Sequence, residues 1–280
     1  MTTKIIRKRK ETKMSRLQNQ ELKDAVKGSM DTNQGVQLPF TAPLMWWKNG
    51  EIALKSTPEV KDARRFGGWG VSEEELANEG LELPETFKPF EMNGNKGTYN
   101  AYLARFVYVA PICRRFVWFQ KPDGKWTSKL NVLSYMAEMK DKVLVQWGPV
   151  VITAKGYSGK NIDNAFAKFS TASAALRDGD PVNYFYHPMG TFAPNPVFEN
   201  ATGKGGDSSP ITPCQVFIPE TGYTPEQMDT YFVGEEVAAV MADLLGQSKE
   251  WLADWKNAKK EEVAEELPPL PTEEDEQFPY

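Results

Sequence analysis

The sequence has few of the residues that metal sites and nucleophilic catalysis require. Its 280 residues include a single histidine, His187, and two cysteines, Cys113 and Cys214. The cysteines stand about a hundred residues apart and form no CxxC or HxxxH spacing, so one chain cannot assemble a Cys/His zinc site. We therefore predict no metal and no other cofactor.

Long hydrophobic runs are also missing. The longest apolar stretch, Tyr102 to Phe119, is interrupted by three arginines and a proline, whereas a membrane-spanning helix needs about 20 apolar residues. Met1 to Lys27 is basic and lacks the apolar segment of a signal peptide. We expect a cytoplasmic protein with reduced cysteines and no membrane partner.

Catalytic and nucleotide-binding motifs are absent as well. Two Gly-Lys pairs, Gly159-Lys160 and Gly203-Lys204, lack the upstream glycine and the following Ser/Thr of a P-loop. A catalytic triad would have to use His187, and no GxSxG motif accompanies it. Carboxylates acting with a divalent metal remain an alternative, but most acids fall in helix-like or tail segments. We predict a protein that is not an enzyme.

Charge is distributed unevenly along the chain, whose net charge is −5. Residues 1–30 carry nine Lys/Arg against three Asp/Glu, and residues 261–280 carry eight Asp/Glu and no Lys/Arg. The body between them is close to neutral. The acidic excess thus belongs largely to a tail, and the net charge does not exclude a polyanionic ligand.

The body has the composition of a folded domain, with 40% hydrophobic and 25% charged residues. A hydrophobic period of 3.6 over Asn161–Arg177 predicts one helix, with Ile162, Ala165 and Phe166 on its buried face. Aromatic and β-branched runs predict strands, with a Pro-Asp-Gly turn at Lys121–Lys125. The predicted strands are Thr98–Ala110, Cys113–Gln120, Trp126–Leu130, Lys142–Trp147, Pro149–Ala154, Val182–His187 and Thr212–Ile218.

Outside this strand-rich core the patterns weaken. We interpret 1–35 as a flexible basic arm and 36–97 as an extension of the body, with a hairpin of Gln37–Trp47 and Glu51–Lys55. The extension also has a capping-box helix at Ser72–Glu79. C-terminal helices follow over 223–260, and 261–280 is a disordered acidic tail.

Aromatic residues interleaved with cations stand out on the predicted strands. Because side chains alternate along a strand, one face can fill the core while the other forms a stacking platform beside Arg and Lys. That combination binds single-stranded nucleic acid without reading sequence. The competing interpretation is that these aromatics only fill a β core. The candidate nucleic-acid-binding residues are Arg105, Tyr108, Arg114, Arg115, Phe116, Trp118, Lys121, Lys125, Trp126, Lys155, Tyr157, Lys160, Tyr184 and Tyr186; the tyrosines and Trp126 are expected to be the most exposed.

The tail ends in an acidic run followed by Phe278-Pro279-Tyr280. Acids steer a peptide towards a basic groove and aromatics anchor it, so the tip is a candidate docking peptide; it is also interpretable as an accidental terminus. The docking residues are Glu273, Glu274, Asp275, Glu276, Phe278, Pro279 and Tyr280.

This layout resembles that of single-stranded DNA-binding proteins of the bacterial and phage kind, which combine an OB-fold body with an acidic tail. The tail matches in Glu273–Glu276 and Phe278-Pro279, and the order of strands, helix and strands is that of a five-stranded barrel. The resemblance implies a mainly β (α+β) fold, with an OB-like core at 98–222 that contains one helix. It implies that the protein coats single-stranded DNA and recruits replication, recombination or repair partners through its tail.

Two function classes follow. The first is a single-stranded DNA-binding protein, with RNA as an alternative ligand and homo-oligomers compatible with the pattern. The second is a structural or assembly protein of a phage or mobile element, which uses the same β body for subunit contacts and has no nucleic-acid affinity.

Overall fold

A nine-stranded, curled sheet that forms a half-barrel organises the chain. The computed structural model describes residues 38–79, 82–94, 97–120, 126–141, 143–173, 184–202, 208–219 and 223–253. The predicted basic arm, the Lys121–Lys125 turn and the acidic tail lie outside these ranges. The structure confirms the mainly β fold class.

The nine strands run in the order β11-β8-β5-β6-β7-β1-β2-β4-β3, and β9 and β10 form a separate pair. Pairing is antiparallel except between β1 and β7. The strands are β1 (Leu44–Lys48), β2 (Gly68–Ser72), β3 (Lys88–Gly94), β4 (Gly97–Ala104), β5 (Phe106–Gln120), β6 (Trp126–Lys140), β7 (Val143–Lys155), β8 (His187–Gly190), β9 (Glu199–Thr202), β10 (Ser208–Ile211) and β11 (Gln215–Val216).

The centre of the sheet is the meander β5–β6–β7, whose strands have 15, 15 and 13 residues. The prediction of two separate strands on either side of Pro111 is wrong. β5 continues through that position because a register shift between Pro111 and Cys113 accommodates the residue that cannot donate to the ladder. The predicted strand Thr98–Ala110 is instead divided at Arg105, between β4 and β5.

The predicted hairpin over 37–55 is also wrong. β1 pairs with β2 and, in parallel, with β7, while Ile52–Leu54 forms a 3-10 turn. The backbone that precedes the turn bonds to distant residues and not to β1. Gly50 N donates to Thr212 Oγ1 at 2.8 Å, and Glu51 N donates to Arg64 O at 2.7 Å. These distant partners replace the hairpin that local pattern alone suggests.

Among the described residues, five helices and one short helical segment flank the sheet. The Asn161–Arg177 prediction is confirmed in kind, although the helix begins at Gly156, and the Ser72 hydroxyl accepts the expected capping bond from Glu75 N at 3.2 Å. They are α1 (Ala63–Phe66), α2 (Glu73–Glu79), α3 (Gly156–Ser173), α4 (Pro225–Tyr231) and α5 (Glu235–Gln247), and residues 249–253 are also helical.

The helices divide the core between the two faces of the sheet. On the first face, Ile162, Ala165 and Phe166 of α3 pack against Val132 of β6 and Ile152 of β7. On the second face, α5 covers Ala110 and Tyr135, and Trp251 covers Leu133 and Val151. Val240 and Leu245 lie on the outer face of α5 and are exposed.

The strands after α3 are shorter than predicted. β8 begins only at His187, which is buried and packs against the rings of Phe166 and Phe169 rather than facing solvent. β11 takes up two residues of the predicted Thr212–Ile218 strand, and the glycine-rich segment before it contains β9 and β10. Within the described ranges, no helix is long and apolar enough to cross a membrane.

Candidate nucleic-acid interface

One end of the central meander gathers positive charge. We call it the basic sheet end and define it by Arg114, Arg115, Lys129, Lys155 and Lys160. Arg114 and Arg115 lie on β5, Lys129 on β6 and Lys155 at the last position of β7, and Lys160 lies in the first turns of α3. Four of the five are among the residues predicted from the sequence, so strand pairing brings separate motifs together.

Lys129 and Lys155 stand directly opposite each other on neighbouring strands. Cross-strand partners share a face and their Cβ atoms lie about 5 Å apart, a distance at which like charges repel. An anion between two such lysines interacts favourably with both. This pair is therefore the strongest electrostatic feature for a phosphate backbone at the sheet end.

The start of α3 adds to the positive field. The 18-residue helix begins at Gly156, directly after Lys155, so its N-terminal dipole lies beside the lysine pair. Acids compensate part of the charge there: Arg114 forms an ion pair with Asp163 of α3, and the Tyr157 hydroxyl donates to Glu199 Oε2 at 2.7 Å. Arg114 nevertheless keeps 55% of its side chain exposed.

A line of buried polar side chains lies two residues from Lys129 and Lys155 on the same face of the sheet. It consists of Arg115, Asn131 and Thr153, and we call it the polar row. Arg115 pairs with Asn131 and Asn131 with Thr153 across β5, β6 and β7. Asn131 and Thr153 are 7% and 9% exposed, and neither Asn131 Oδ1 nor Thr153 Oγ1 has a hydrogen-bond partner among the described residues. An unsatisfied buried group costs about 1–3 kcal/mol, so the row is a costly feature of the fold.

Trp46 extends the polar row onto β1. It pairs with Thr153 of β7 on one side and with Gly70 of β2 on the other. A Cβ built at Gly70 would lie 1.7 Å from Trp46 Cζ3, so the indole lies over a position that only glycine can occupy. Trp46 is partly exposed and is a candidate stacking ring beside the polar row.

Two predicted phosphate ligands are held by the protein itself. Arg105 donates through Nη2 to Thr191 O at 3.0 Å and Ala193 O at 3.1 Å, and its Cζ lies 3.6 Å from the Phe66 ring centroid. Burial, followed by the charge of Arg65, lowers the pKa of Arg105. Arg115 is 8% exposed and donates to the Trp251 carbonyl. Arg115 is therefore buried, and Arg105 is partly buried with its Nη2 bonded to backbone carbonyls.

The predicted aromatic residues divide between the core and the surface. The expectation that Tyr186 is exposed is wrong: it is 1% exposed, and burial raises the pKa of its hydroxyl. Phe116 and Tyr184 are partly buried against the core clusters. Trp118 pairs with Ser128 and Trp126 with Gln120 in the β5–β6 register at the basic sheet end, and Lys121, Lys125 and the tail residues lie outside the described ranges.

A second surface, which the sequence did not predict, carries a chain of aromatic rings. The aromatic ribbon consists of Phe217, Phe192, Phe106, Tyr108 and Tyr231, in that order. Successive ring centroids lie 5.9, 5.3, 6.2 and 6.3 Å apart. Phe217 is 48% exposed and the others are partly buried. Only Tyr108 was a predicted site residue.

Gly190 has no side chain, which leaves space for the close approach of Phe106 of the ribbon. It pairs with Phe106 and has φ +152°, and a Cβ there would lie 2.1 Å from Arg105 O. Burial raises the pKa of both Tyr108 and Tyr231, so these rings stay neutral at ordinary pH. The cation–π contacts among the described residues involve Phe66, Phe90 and Trp251, and no ring of the ribbon.

Other surfaces are less suited to a polyanion. A pocket of about 220 Å³ lies at the β3–β4 edge and is lined by Glu73 and Glu91 beside Phe90 and Tyr102. No group of three or more His, Cys, Asp and Glu side chains in the described ranges is placed to hold a metal ion. Cys113 and Cys214 form no disulfide.

Four residues of the candidate site are missed by reasoning from the sequence, because only the pairing of distant strands brings them together. They are Lys129, Asn131, Thr153 and Trp46. One signal was present in the sequence: Lys129 and Asn131 occupy alternate positions in a strand that is otherwise largely apolar. The chain matches no protein-family model, and no curated protein or solved structure is significantly similar to it. The candidate site therefore rests on its own geometry.

Proposed function

We propose that the protein binds single-stranded DNA at the basic sheet end. The observation that carries the proposal is the directly opposed Lys129–Lys155 pair beside the N-terminus of α3. Phosphates bind Lys129 and Lys155, and bases stack on an aromatic ring of an adjoining strand. Arg114 and Lys160, on the face that carries α3, add to the positive field at this end of the sheet.

Trp46 is the stacking residue of the proposal, because it lies on the same face as Lys129, Lys155 and the polar row; Trp118 and Trp126 stay predictions from the sequence. Trp46 lies at the end of the polar row, and the register of β5 with β6 brings the backbones of Trp118 and Trp126 close to the lysine pair. A stacked base contributes about 1–3 kcal/mol whatever its identity. The arrangement supports binding that depends little on sequence.

The OB-like character of the core and the role of the tail belong to the same proposal. The long meander β5–β6–β7 followed by α3 agrees with the order of an OB barrel, in which the ligand lies across the strands. In this proposal Glu273–Glu276 and Phe278–Tyr280 dock replication, recombination or repair proteins in the cytoplasm, and the protein is not an enzyme.

Fluorescence anisotropy of a labelled 30-mer of deoxythymidine tests the proposal. We expect saturable binding at low salt that weakens as salt rises, with a slope of log K against log[salt] of about −0.7 per phosphate contact. Oligo-rU of equal length determines whether RNA is accepted. Absence of binding to both oligomers at low salt contradicts the proposal.

The aromatic ribbon favours a second candidate, an assembly protein with no nucleic-acid affinity. Phe217 of the ribbon and Phe232 are 48% and 41% exposed, and exposed apolar patches mark surfaces that bind other proteins. This candidate predicts a defined oligomer in sedimentation velocity that dissociates in the Phe217→Ser variant. It also predicts no change in sedimentation when the 30-mer is added.

A further inference from the structure

The helical segment after α5 lies against the basic sheet end. We call residues 249–253 the C-terminal strap. Its Trp251 is 4% exposed; the carbonyl of Trp251 accepts from Arg115 Nη1 at 2.7 Å, and the ring centroid lies 4.1 Å from Arg115 Cζ. The strap is thus attached to the first residue of the polar row.

The polar row beside the strap has unused hydrogen-bonding capacity. Asn131 Oδ1 and Thr153 Oγ1 are buried acceptors with no partner among the described residues. Most buried polar atoms in folded proteins are paired, so two such atoms on neighbouring strands require an explanation. Leu133 and Val151, the next residues of the row's face, pack in the cluster that contains Trp251.

We propose that the polar row is the base-contacting half of the nucleic-acid site, and that the C-terminal strap covers it until a strand binds. This inference rests on the proposed function. Arg115, Asn131 and Thr153 offer the donors and acceptors that base edges require. The row adjoins Lys129 of β6 and Lys155 of β7, which lie two residues from Asn131 and Thr153, and it ends at Trp46. The groups that contact phosphates, base edges and a stacked base therefore lie on one face of the sheet.

Arg115 provides the reason for the strap to move. In the free protein its guanidinium donates to a neutral carbonyl of Trp251. A base edge offers carbonyl oxygens of the same acceptor type, and stacking of the base on Trp46 adds to the binding energy. Exchange of the Trp251 carbonyl for a base carbonyl releases Trp251 and opens the row.

Cys113 reports on this movement without measuring affinity. It packs against the cluster of Leu133, Val151 and Trp251, and burial raises the pKa of its thiol to about 12. Thiolate is the reactive form, so Cys113 in the covered state reacts slowly with iodoacetamide. Cys214 is buried in the cluster on the other face and serves as the internal control.

The experiment measures the alkylation rate of each cysteine in the full chain at pH 8, by peptide mass spectrometry, with and without 30-mer ligands. We expect (dT)30 to accelerate Cys113 about tenfold or more and to leave Cys214 unchanged. An abasic 30-mer, which has phosphates but no bases, should change the Cys113 rate less than about twofold. Anisotropy in the same buffer establishes that each complex forms.

The outcomes separate this inference from the proposed function. A complex with (dT)30 in which Cys113 is unchanged or protected overturns the strap while DNA binding stands. Acceleration by the abasic oligomer to the same extent shows that the row meets phosphates, which overturns its base-contacting role. If (dT)30 forms no complex at low salt, the proposed function fails and the inference fails with it.

An Asn131→Leu variant gives a second measurement. Because Leu is similar in size and has no hydrogen-bonding group, the fold loses no described partner of Asn131 Oδ1. We expect weaker binding of (dT)30 by about fivefold and unchanged binding of the abasic oligomer. Equal affinities of wild type and variant for both oligomers contradict a base contact at Asn131.

Discussion

The basic sheet end and the aromatic ribbon lie at opposite ends of β5, and each has what the other lacks. The sheet end combines Lys129, Lys155 and Arg114 with the N-terminus of α3. The ribbon is a chain of aromatic rings beside Arg105, whose guanidinium donates to a backbone carbonyl. Phe106 and Arg115 are nine residues apart, which is about 30 Å at 3.3 Å per residue. α5 and Trp251 pack on the same face between them.

This separation shows that aromatic content alone does not locate a nucleic-acid site. A polyanion needs positive potential as well as stacking surface, and of the two regions the sheet end carries the greater charge. The ribbon is better suited to an apolar partner. Substitutions in the two regions should therefore affect different measurements.

Charge reversal at the lysine pair should have the largest effect. We expect Lys129→Glu/Lys155→Glu to weaken (dT)30 binding about 100-fold at low salt, because two attractions become repulsions beside the phosphates. The matched control is Lys61→Glu/Lys88→Glu, which makes the same change of net charge at two exposed lysines away from the site. Equal losses in both variants in anisotropy titrations would mean that only net charge matters.

Removal of the stacking ring should have the next largest effect. Trp46→Ala is expected to weaken (dT)30 binding about 30-fold, in the middle of the range for one stacked base, with an unchanged salt slope because no phosphate contact is lost. Trp46→Phe keeps a ring and should recover most of the affinity. A changed salt slope with unchanged affinity for Trp46→Ala contradicts a stacking role.

Truncation within the ribbon should leave binding almost unaltered. Phe217→Ala removes the most exposed ring of the ribbon, and we expect its (dT)30 affinity to stay within about twofold of wild type, since it lies away from the phosphate path. Urea unfolding of the variant serves as the control for folding. A tenfold loss of affinity in a stably folded variant would place the strand on the ribbon instead.

The smallest effect is expected at Tyr186. Its hydroxyl is buried with no hydrogen-bond partner among the described residues, so Tyr186→Phe removes no described contact. We expect the free energy of unfolding in urea to change by less than about 1 kcal/mol and (dT)30 affinity to stay the same. A large loss of affinity would show that Tyr186 becomes exposed on binding.

Local patterns in the sequence were sufficient for the elements but not for their arrangement. Alternation and period identified the meander strands and the buried face of α3 because both depend on neighbours within a few residues. The parallel pairing of β1 with β7 and the continuation of β5 past Pro111 depend on distant partners and a register shift, which no local pattern contains.

The candidate site was predicted in part for the same reason. Arg114, Lys155 and Lys160 were recognised as cations beside aromatics, and pairing brought them together. Arg105, Arg115 and Tyr186 are of the same residue types. In the structure, however, backbone carbonyls accept hydrogen bonds from Arg105 and Arg115, and Tyr186 is buried. Whether an arginine meets solvent or a carbonyl is decided by tertiary packing.

Photocrosslinking tests the central claim most directly, because it locates the bound strand. A 30-mer containing 5-iododeoxyuridine is irradiated in complex with the full chain, and crosslinked peptides are identified by mass spectrometry. We predict crosslinks in β1, at Trp46, and their loss in Lys129→Glu/Lys155→Glu. Crosslinks confined to Phe192 and Phe217, or unaffected by that substitution, would contradict it.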